Sequence, residues 1–521
     1  MRRSLPLLAV LAAVAAGTCA AATPPPNVAV TVAAGDVEGS SLAIDPTDPA
    51  RLAVGYSTGR STATGSCLVA RSDDGGRTWK TATIAGDAAR PLPPDTTHCA
   101  DPVVAFGSEG TLYGAYDVSR LGGPGRVYLT SSNDHGATFE PPTVLDPAPS
   151  GGGDFEPAIA TGVSNSAVSV GFERYDAEFE DAAVLAATTD DGGRTVSDPV
   201  RVSPEGQNAL NGRAAAAADR AGNVYLAWVD ASDVDFAGSG SARLEVAVSR
   251  SRGATFGAPA TIATVPSGCG PNDDCGNRCP AVALAAGARG VADLAWSAGN
   301  YPDPARVFVA RSRDAGKRWT PPAPIGVPSG DGDRDQLRPS IVVAPDGRVD
   351  LGWADQARDA DDRLLDVYFA YSLDGARTFS RPVRLDTTPS NTQRTPFVAR
   401  IGIAASNGAA HAAWQDARVD RPPGSYVVFA RVPDALPPRI PTVVGPRELR
   451  MARATYSLRS SDDFTPRHAL RFRCGLDRAP LHACRARYTQ GLSRGRHVFR
   501  VRALDGAGNP SPVRSIGVLV R

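Results

Sequence analysis

Charged side chains recur at two kinds of place along this chain. One set stands at the start of short apolar runs. Asp101 precedes Pro102-Val103-Val104-Ala105, Glu156 precedes Pro157-Ala158-Ile159-Ala160, Arg338 precedes Pro339, Arg278 stands two residues before Pro280, and Arg213 precedes a run of alanines. A second set follows segments that end in an aromatic: Asp117, Arg120, Glu173, Arg174, Asp230, Asp355, Arg358, Asp416 and Arg418. Guanidiniums present a fork of donors that matches a carboxylate, so arginines brought to one mouth could clamp an acidic ligand. The second set has a plainer reading. Trp353-Ala354-Asp355-Gln356-Ala357-Arg358 and Trp414-Gln415-Asp416-Ala417-Arg418 share one spacing. A catalytic group is needed once, whereas a repeated one suits Asp–Arg pairs that tie neighbouring loops. The chain has no phosphate-binding loop, no H-E-x-x-H and no Ser-His-Asp context, and its six His are scattered. Cys269, Cys275 and Cys279 do not have zinc spacing. Asp331-Gly332-Asp333-Arg334-Asp335 offers alternating carboxylates that calcium could use, but it lacks the Gly and distal Glu of an EF-hand loop. A solvated loop is expected there, and neither a metal nor a cofactor is expected.

These residues must be positioned by a repeated element. Ser72-Asp73-Asp74-Gly75-Gly76-Arg77-Thr78-Trp79 recurs in altered form from Ser132, Thr189, Ser249, Ser312 and Ser372, a step of about 60 residues. The copy at Ser249 has lost its Asp, and the copy at Ser312 its Thr. In phase with it run seven strand-like segments ending in an aromatic: Leu52 to Tyr56, Leu112 to Tyr116, Val168 to Phe172, Val224 to Trp228, Ala292 to Trp296, Val349 to Trp353 and Ala410 to Trp414. The apolar runs behind Asp101, Glu156, Pro280 and Pro339 suit inner strands buried on both faces. Each unit reads as inner strand, aromatic-ended strand, third strand, octapeptide turn and outer strand, which is a propeller blade. The last unit lacks an octapeptide and an outer strand. Asn27 to Val32 is a spare strand that can supply the missing one and close the ring, removing two exposed edges.

The octapeptides resemble the Asp-boxes of the sialidase (neuraminidase) superfamily and related BNR-repeat propellers. The resemblance implies a hairpin turn between third and fourth strands, capped by its Asp, with the aromatic packed between blades. Asp74, Asp134, Asp191, Asp314 and Asp374 are then structural. Sialidases have six blades, and seven units here depart from a plain sialidase. The expected fold is all-β: a seven-bladed, alternatively six-bladed, Asp-box β-propeller followed by a small Ig-like β-sandwich. The resemblance also implies a site of three Arg, a Tyr nucleophile activated by a Glu, and an Asp acid/base. The family's x-R-I-P motif is nearest at Asn277-Arg278-Cys279-Pro280, then at Leu337-Arg338-Pro339, both late in the chain. Arg278, Arg338, Arg213, Glu173 with Tyr175 (or Tyr301) and Asp101 make up the candidate set, but neither tyrosine has the family's context. The expected function is therefore an extracellular carbohydrate- or surface-binding scaffold without hydrolytic activity. The alternative is an exo-α-sialidase-type glycoside hydrolase that releases terminal sialic acid or a related acidic sugar.

The expected organisation is a signal peptide over 1–22, a propeller over 27–433, a Pro-rich linker over 434–445 and a sandwich over 446–521. Arg2 and Arg3 precede an apolar run from Leu5 to Ala16 and the cleavage-like Ala20-Ala21-Ala22. Secretion follows, with lipid anchoring through Cys19 as the alternative. The tail from Phe472 to Asn509 resembles Ig-like modules of bacterial surface and secreted proteins, which implies a Cys474–Cys484 disulfide. Cys67 and Cys99 form a second expected pair, and one thiol of the Cys269, Cys275, Cys279 group is left over. The 53 Gly and 44 Pro favour short strands and turns over helices. Net charge is zero and the only lysines are Lys80 and Lys317, so the whole chain points to no nucleic acid. From Arg447 onward about sixteen Arg stand against about five acids, a basic module that suits an anionic polymer or an extracellular glycan. No membrane span beyond the leader is expected, and the protein is expected to be a monomer.

Overall fold

The computed structural model describes residues 24–31, 37–59, 64–120, 123–149, 151–162, 164–209, 214–234, 240–266, 279–288, 290–299, 304–326, 335–356, 363–391, 401–418, 424–450 and 453–521. The described residues are all-β, with no helix among them. Among the described residues no helix is long and apolar enough to cross a membrane.

Up to Pro433 the strands form antiparallel units of the same plan. The first unit runs Val37–Ile44, Leu52–Thr58, Ser66–Ser72, Lys80–Ala85, each strand bonded to the next. The following units begin with His98–Phe106, Gly153–Thr161, Ala215–Ala218, Ala281–Ala286, Gln336–Val343 and Ile401–Ser406. A parallel bridge between Gly153 and Gly125 joins the second and third into one sheet. First strands of successive units touch, and the last, Ile401–Ser406, touches Val37–Ile44. The sheets therefore stand in a closed ring.

Sequence dictates this packing through the second strands. Val224–Asp230 and Ala409–Asp416 are buried along their whole length, as their apolar content requires. Each carries one large aromatic into the unit before it. Trp228 packs with Ala182, Val184 and Ala186, Trp353 with Ala295 and Val307, and Trp414 with Leu365 and Phe369. Tyr56 packs with Val427 and Phe429, which joins the first unit to the seventh. Burying each such ring contributes roughly 1.5–3 kcal/mol. The spare N-terminal strand lies where expected: Asn27–Ala29 pairs antiparallel with Tyr426–Pro433, Val28 opposite Phe429.

The octapeptide turns obey one chemistry. The Asp74 carboxylate accepts the N–H groups of Arg77 (2.9 Å) and Thr78 (3.0 Å) and the Thr78 hydroxyl (2.7 Å). Asp134, Asp191 and Asp374 make the same set with Thr138, Thr195 and Thr378, while Asp314 uses Arg318 in place of the Thr hydroxyl. In the fourth turn, which has no Asp, the Ser251 hydroxyl accepts the Thr255 N–H at 3.0 Å. Side-chain oxygens thus satisfy turn donors that no sheet partner reaches.

Beyond the ring, Thr442–Val444, Arg453–Arg459 and Arg487–Gly491 form one sheet, and Glu448–Leu449, Arg514–Val520, Gly495–Leu504, Arg471–Leu476 and His482–Cys484 another. The stretch expected as linker therefore contributes a strand. The two sheets share a core in which Tyr456 stacks on Phe499 at 4.1 Å. Cys474–Cys484 and Cys67–Cys99 are disulfide-bonded, in keeping with an oxidising compartment.

Candidate functional site

The first strands of several units carry the same backbone irregularity. Pairing register shifts between Glu38 and Ser41, Ala100 and Val103, Phe155 and Ala158, and Leu337 and Ser340. Each shift is a β-bulge, and in each a residue has left-handed φ: Gly39 (69°), Asp101 (49°), Glu156 (55°) and Arg338 (47°). Gly tolerates this conformation, whereas a long side chain does so at a cost of roughly 1–3 kcal/mol. Asp101, Glu156 and Arg338 also precede proline, where extended backbone is preferred. The bulge re-aims the strained side chain. All three line one cavity of about 370 Å³ at the first-strand starts, together with Ala214, Cys279, Pro280 and Ile401. Val103, Ile159, Ile341 and the prolines make the remaining wall apolar. An apolar cavity with a few converging polar groups is the usual form of a small-ligand site.

Of the candidate set, Asp101 and Arg338 come together here, joined by Glu156, which was picked out only as a charge heading an apolar run. Arg213, Arg278, Tyr301, Arg358, Cys19, Cys269, Cys275, Asp331 and Asp333 lie outside the described residues, as does the expected signal peptide. Cys279 is disulfide-bonded. Glu173 and Tyr175 do pair: the Tyr175 hydroxyl donates to Glu173 Oε2 at 3.3 Å. Glu173 is fully buried, and its Oε1 accepts the Ala214 N–H at 2.9 Å, so it fastens the third unit to the fourth. Tyr175 lines a different, larger cavity of about 890 Å³ with Arg174, Asp181 and Asn208, and packs edge-on against Phe155. Arg338 and Tyr175 therefore face different spaces.

The second-strand acids are buried and occupied. Asp117 Oδ1 accepts the Glu156 N–H at 3.3 Å, across a unit boundary. Asp230 accepts the Asn208 N–H (3.1 Å) and the Arg243 guanidinium (2.7 Å). Asp355 and Asp416 accept the indole N–H groups of Trp353 (2.9 Å) and Trp414 (3.3 Å) on their own strands. Arg418 binds Asp416 at 2.9 Å, and Arg174 forks onto Asp154 at 2.6 and 2.8 Å. These contacts hold loops and indoles in place; Arg418 pairs with Asp416 two residues away in its own loop. Sequence reasoning did not foresee the strained bulges. The available signal was a charged residue before Pro at the head of an apolar run, but that dipeptide by itself reads as extended chain.

No family model matches the chain, and no curated protein matches it. Among solved structures it is similar to a polysaccharide lyase described as an ulvan lyase (12% identity, 77% of this chain and 95% of that one, TM-score 0.47). It is also similar to a Hadza microbial sialidase (16%, 71% and 74%, TM-score 0.41) and to the α-L-arabinofuranosidase of Fusarium graminearum (12%, 79% and 97%, TM-score 0.40).

Proposed function

We propose that the chain is a secreted monomeric protein whose ring, residues 27–433, is a seven-bladed Asp-box propeller bearing an Ig-like module over 446–521. In this reading it binds an extracellular glycan at the mouth of the ring without hydrolysing it. One observation carries the reading: the bulge repeats from unit to unit, but its side chain does not. Gly39, Asp101, Glu156 and Arg338 occupy equivalent strained positions. A backbone device held constant while its chemistry varies is what a recognition surface needs. Carboxylates and a guanidinium can hydrogen-bond sugar hydroxyls, and the Pro, Val and Ile faces suit the apolar face of a pyranose.

The test is a glycan array probed with the purified protein and with Glu156→Gly and Arg338→Gly. Glycine stands at that place in the first unit, so both variants should melt at or above the parent temperature. Binding should fall at least about tenfold. Binding unchanged in both variants would sink this reading. The Tyr175–Glu173 hydrogen bond favours a second reading, the exo-α-sialidase type of hydrolase. Release of fluorophore from a fluorogenic sialoside by the parent protein, lost in Tyr175→Phe, would establish that reading instead.

A further inference from the structure

Where the ring meets the C-terminal sandwich, three carboxylates converge. Asp434 follows the last ring strand, Tyr426–Pro433; Asp462 follows Arg453–Arg459; Asp505 follows Gly495–Leu504. A ligand oxygen from each lies within 4.8 Å of the other two. Every one of these side chains commits one oxygen locally. Asp434 Oδ2 accepts the Thr465 hydroxyl (3.0 Å), Asp462 Oδ2 the N–H groups of Phe464 (3.0 Å) and Thr465 (2.7 Å), and Asp505 Oδ1 the Asn509 N–H (2.7 Å). The second oxygen of each, Asp434 Oδ1, Asp462 Oδ1 and Asp505 Oδ2, is buried and accepts no hydrogen bond from the described residues. Asp505 is 0% exposed and Asp434 5%.

Three buried carboxylate oxygens without donors are costly unless a cation or protons neutralise them. Burial, then the charges of Asp462 and Asp505, work against ionising the Asp434 carboxyl, so negative charge is crowded here. Asp463 adds a further negative charge from the same loop. Nearby guanidiniums are already engaged: Arg471 Nη2 donates to the Asp505 carbonyl at 3.2 Å, and a second cation, Arg348, is spent elsewhere. Its Nε and Nη2 bind Asp350 at 2.7 and 2.8 Å, and Nη2 also donates to the Ser406 carbonyl at 3.0 Å.

We propose that Asp434, Asp462 and Asp505 form a calcium site that fastens the C-terminal sandwich to the ring. The donor set is all oxygen, which selects a hard cation over zinc or copper. The ligands come from three separate loops, a flexible arrangement that suits calcium's loose coordination better than magnesium's strict octahedron. Second carboxylate oxygens and water complete the shell. The surroundings already join the two parts: Asn509 Nδ2 donates to the carbonyl of Asp434, the residue that follows the last ring strand, at 3.0 Å.

The experiment is calorimetric titration of the chelator-treated full chain with calcium and, separately, magnesium, alongside melting curves. One equivalent of calcium should bind, raise the melting temperature, and bind more tightly than magnesium. Asp462→Asn keeps an acceptor for the Phe464 and Thr465 N–H groups but removes the ligand oxygen. It should weaken calcium binding at least about tenfold while melting, without calcium, no lower than the parent. Asp434→Asn should behave alike. No calcium binding by the parent, magnesium binding of equal strength, or undiminished binding in both variants would each overturn the proposal.

Discussion

The Arg348 guanidinium carbon lies 3.9 Å from the centroid of the Phe464 ring. Arg348 belongs to the ring's sixth unit and is fully buried; Phe464 belongs to the C-terminal sandwich and also packs edge-on against Tyr371 at 4.9 Å. The two parts of the chain are thus joined by a cation–π contact inside a shared apolar cluster that includes Ala410 and Ala412. Phe464→Ala should remove that seat. Truncating a buried Phe costs roughly 3–5 kcal/mol, and here the loss falls on the junction. The expected outcome is faster proteolytic cleavage between Asp434 and Gly445, where Leu436 and Ile440 stand exposed, with the released ring still melting as before. Unchanged cleavage would show that the contact does not hold the sandwich in place.

The fourth octapeptide turn offers a gain in stability. Ser251 stands where the other turns have Asp, and it accepts one N–H where they accept two donors or more. In those turns the hydrogen bonds dominate: Thr195 and its hydroxyl hold the Asp191 carboxyl down to about 2, and Arg318 does the same for Asp314. At Asp74 desolvation is the largest single influence and works upward, but the bonds from Thr78, Ser72 and Arg77 together outweigh it, again to about 2. Ser251→Asp should therefore stabilise the protein by about 1 kcal/mol at neutral pH. The gain should disappear as pH falls from 3.8 to about 2, because a carboxylate with a lowered folded-state pKa loses its contribution when protonated. Urea midpoints at the two ends of that window measure it.

Ring closure can be tested at one glycine. Gly76 has φ +88°, and a Cβ there would sit 2.1 Å from Cε1 of Phe429 in the seventh unit. Gly75, with φ +76°, has nothing within 4 Å. Gly75→Ala should cost about 1 kcal/mol of backbone strain alone, and Gly76→Ala about 2 kcal/mol more as Phe429 and its neighbour Trp79 are displaced. Equal losses of melting temperature in the two variants would mean that the first and seventh units do not pack as described.

The units and the closing strand were legible because their chemistry is local. A turn that needs an acceptor, a left-handed glycine and an aromatic writes itself into eight consecutive residues. The surplus strand at Asn27 followed from the missing outer strand of the last unit. The mouth was only half legible. Asp101, Glu156 and Arg338 could be picked out as charges heading apolar runs, but their left-handed backbone is imposed by pairing with the second strand, and no dipeptide encodes that. Glu173 was legible only as a neighbour of Tyr175. Its burial and the Ala214 N–H, which also make it a fastener between units, depend on the packing of the next unit. The Asp434, Asp462, Asp505 cluster was invisible, since its members come from loops far apart in the chain and meet only after the sandwich docks.

His411 gives a pH signature for the seventh unit. It is 2% exposed on a second strand and stacks on Phe429 at 6.0 Å. Burial, then the charge of Arg431, push its imidazole down to about 3 from 6.5. A folded-state pKa below the unfolded one contributes stability that is fully present above 6.5 and is lost as pH falls toward 3. Asp386, raised by burial and by Asp366, works in the opposite direction over part of that window, so the parent curve alone does not isolate the histidine. The difference between parent and His411→Gln does. Gln stays neutral, so the variant should be the less stable protein at pH 7.5 and should close that gap steadily on acidification, ending level with or above the parent near pH 4. Urea denaturation of both proteins across that range reads the gap directly, and a gap independent of pH would mean that His411 takes up its proton alike in the folded and unfolded chains.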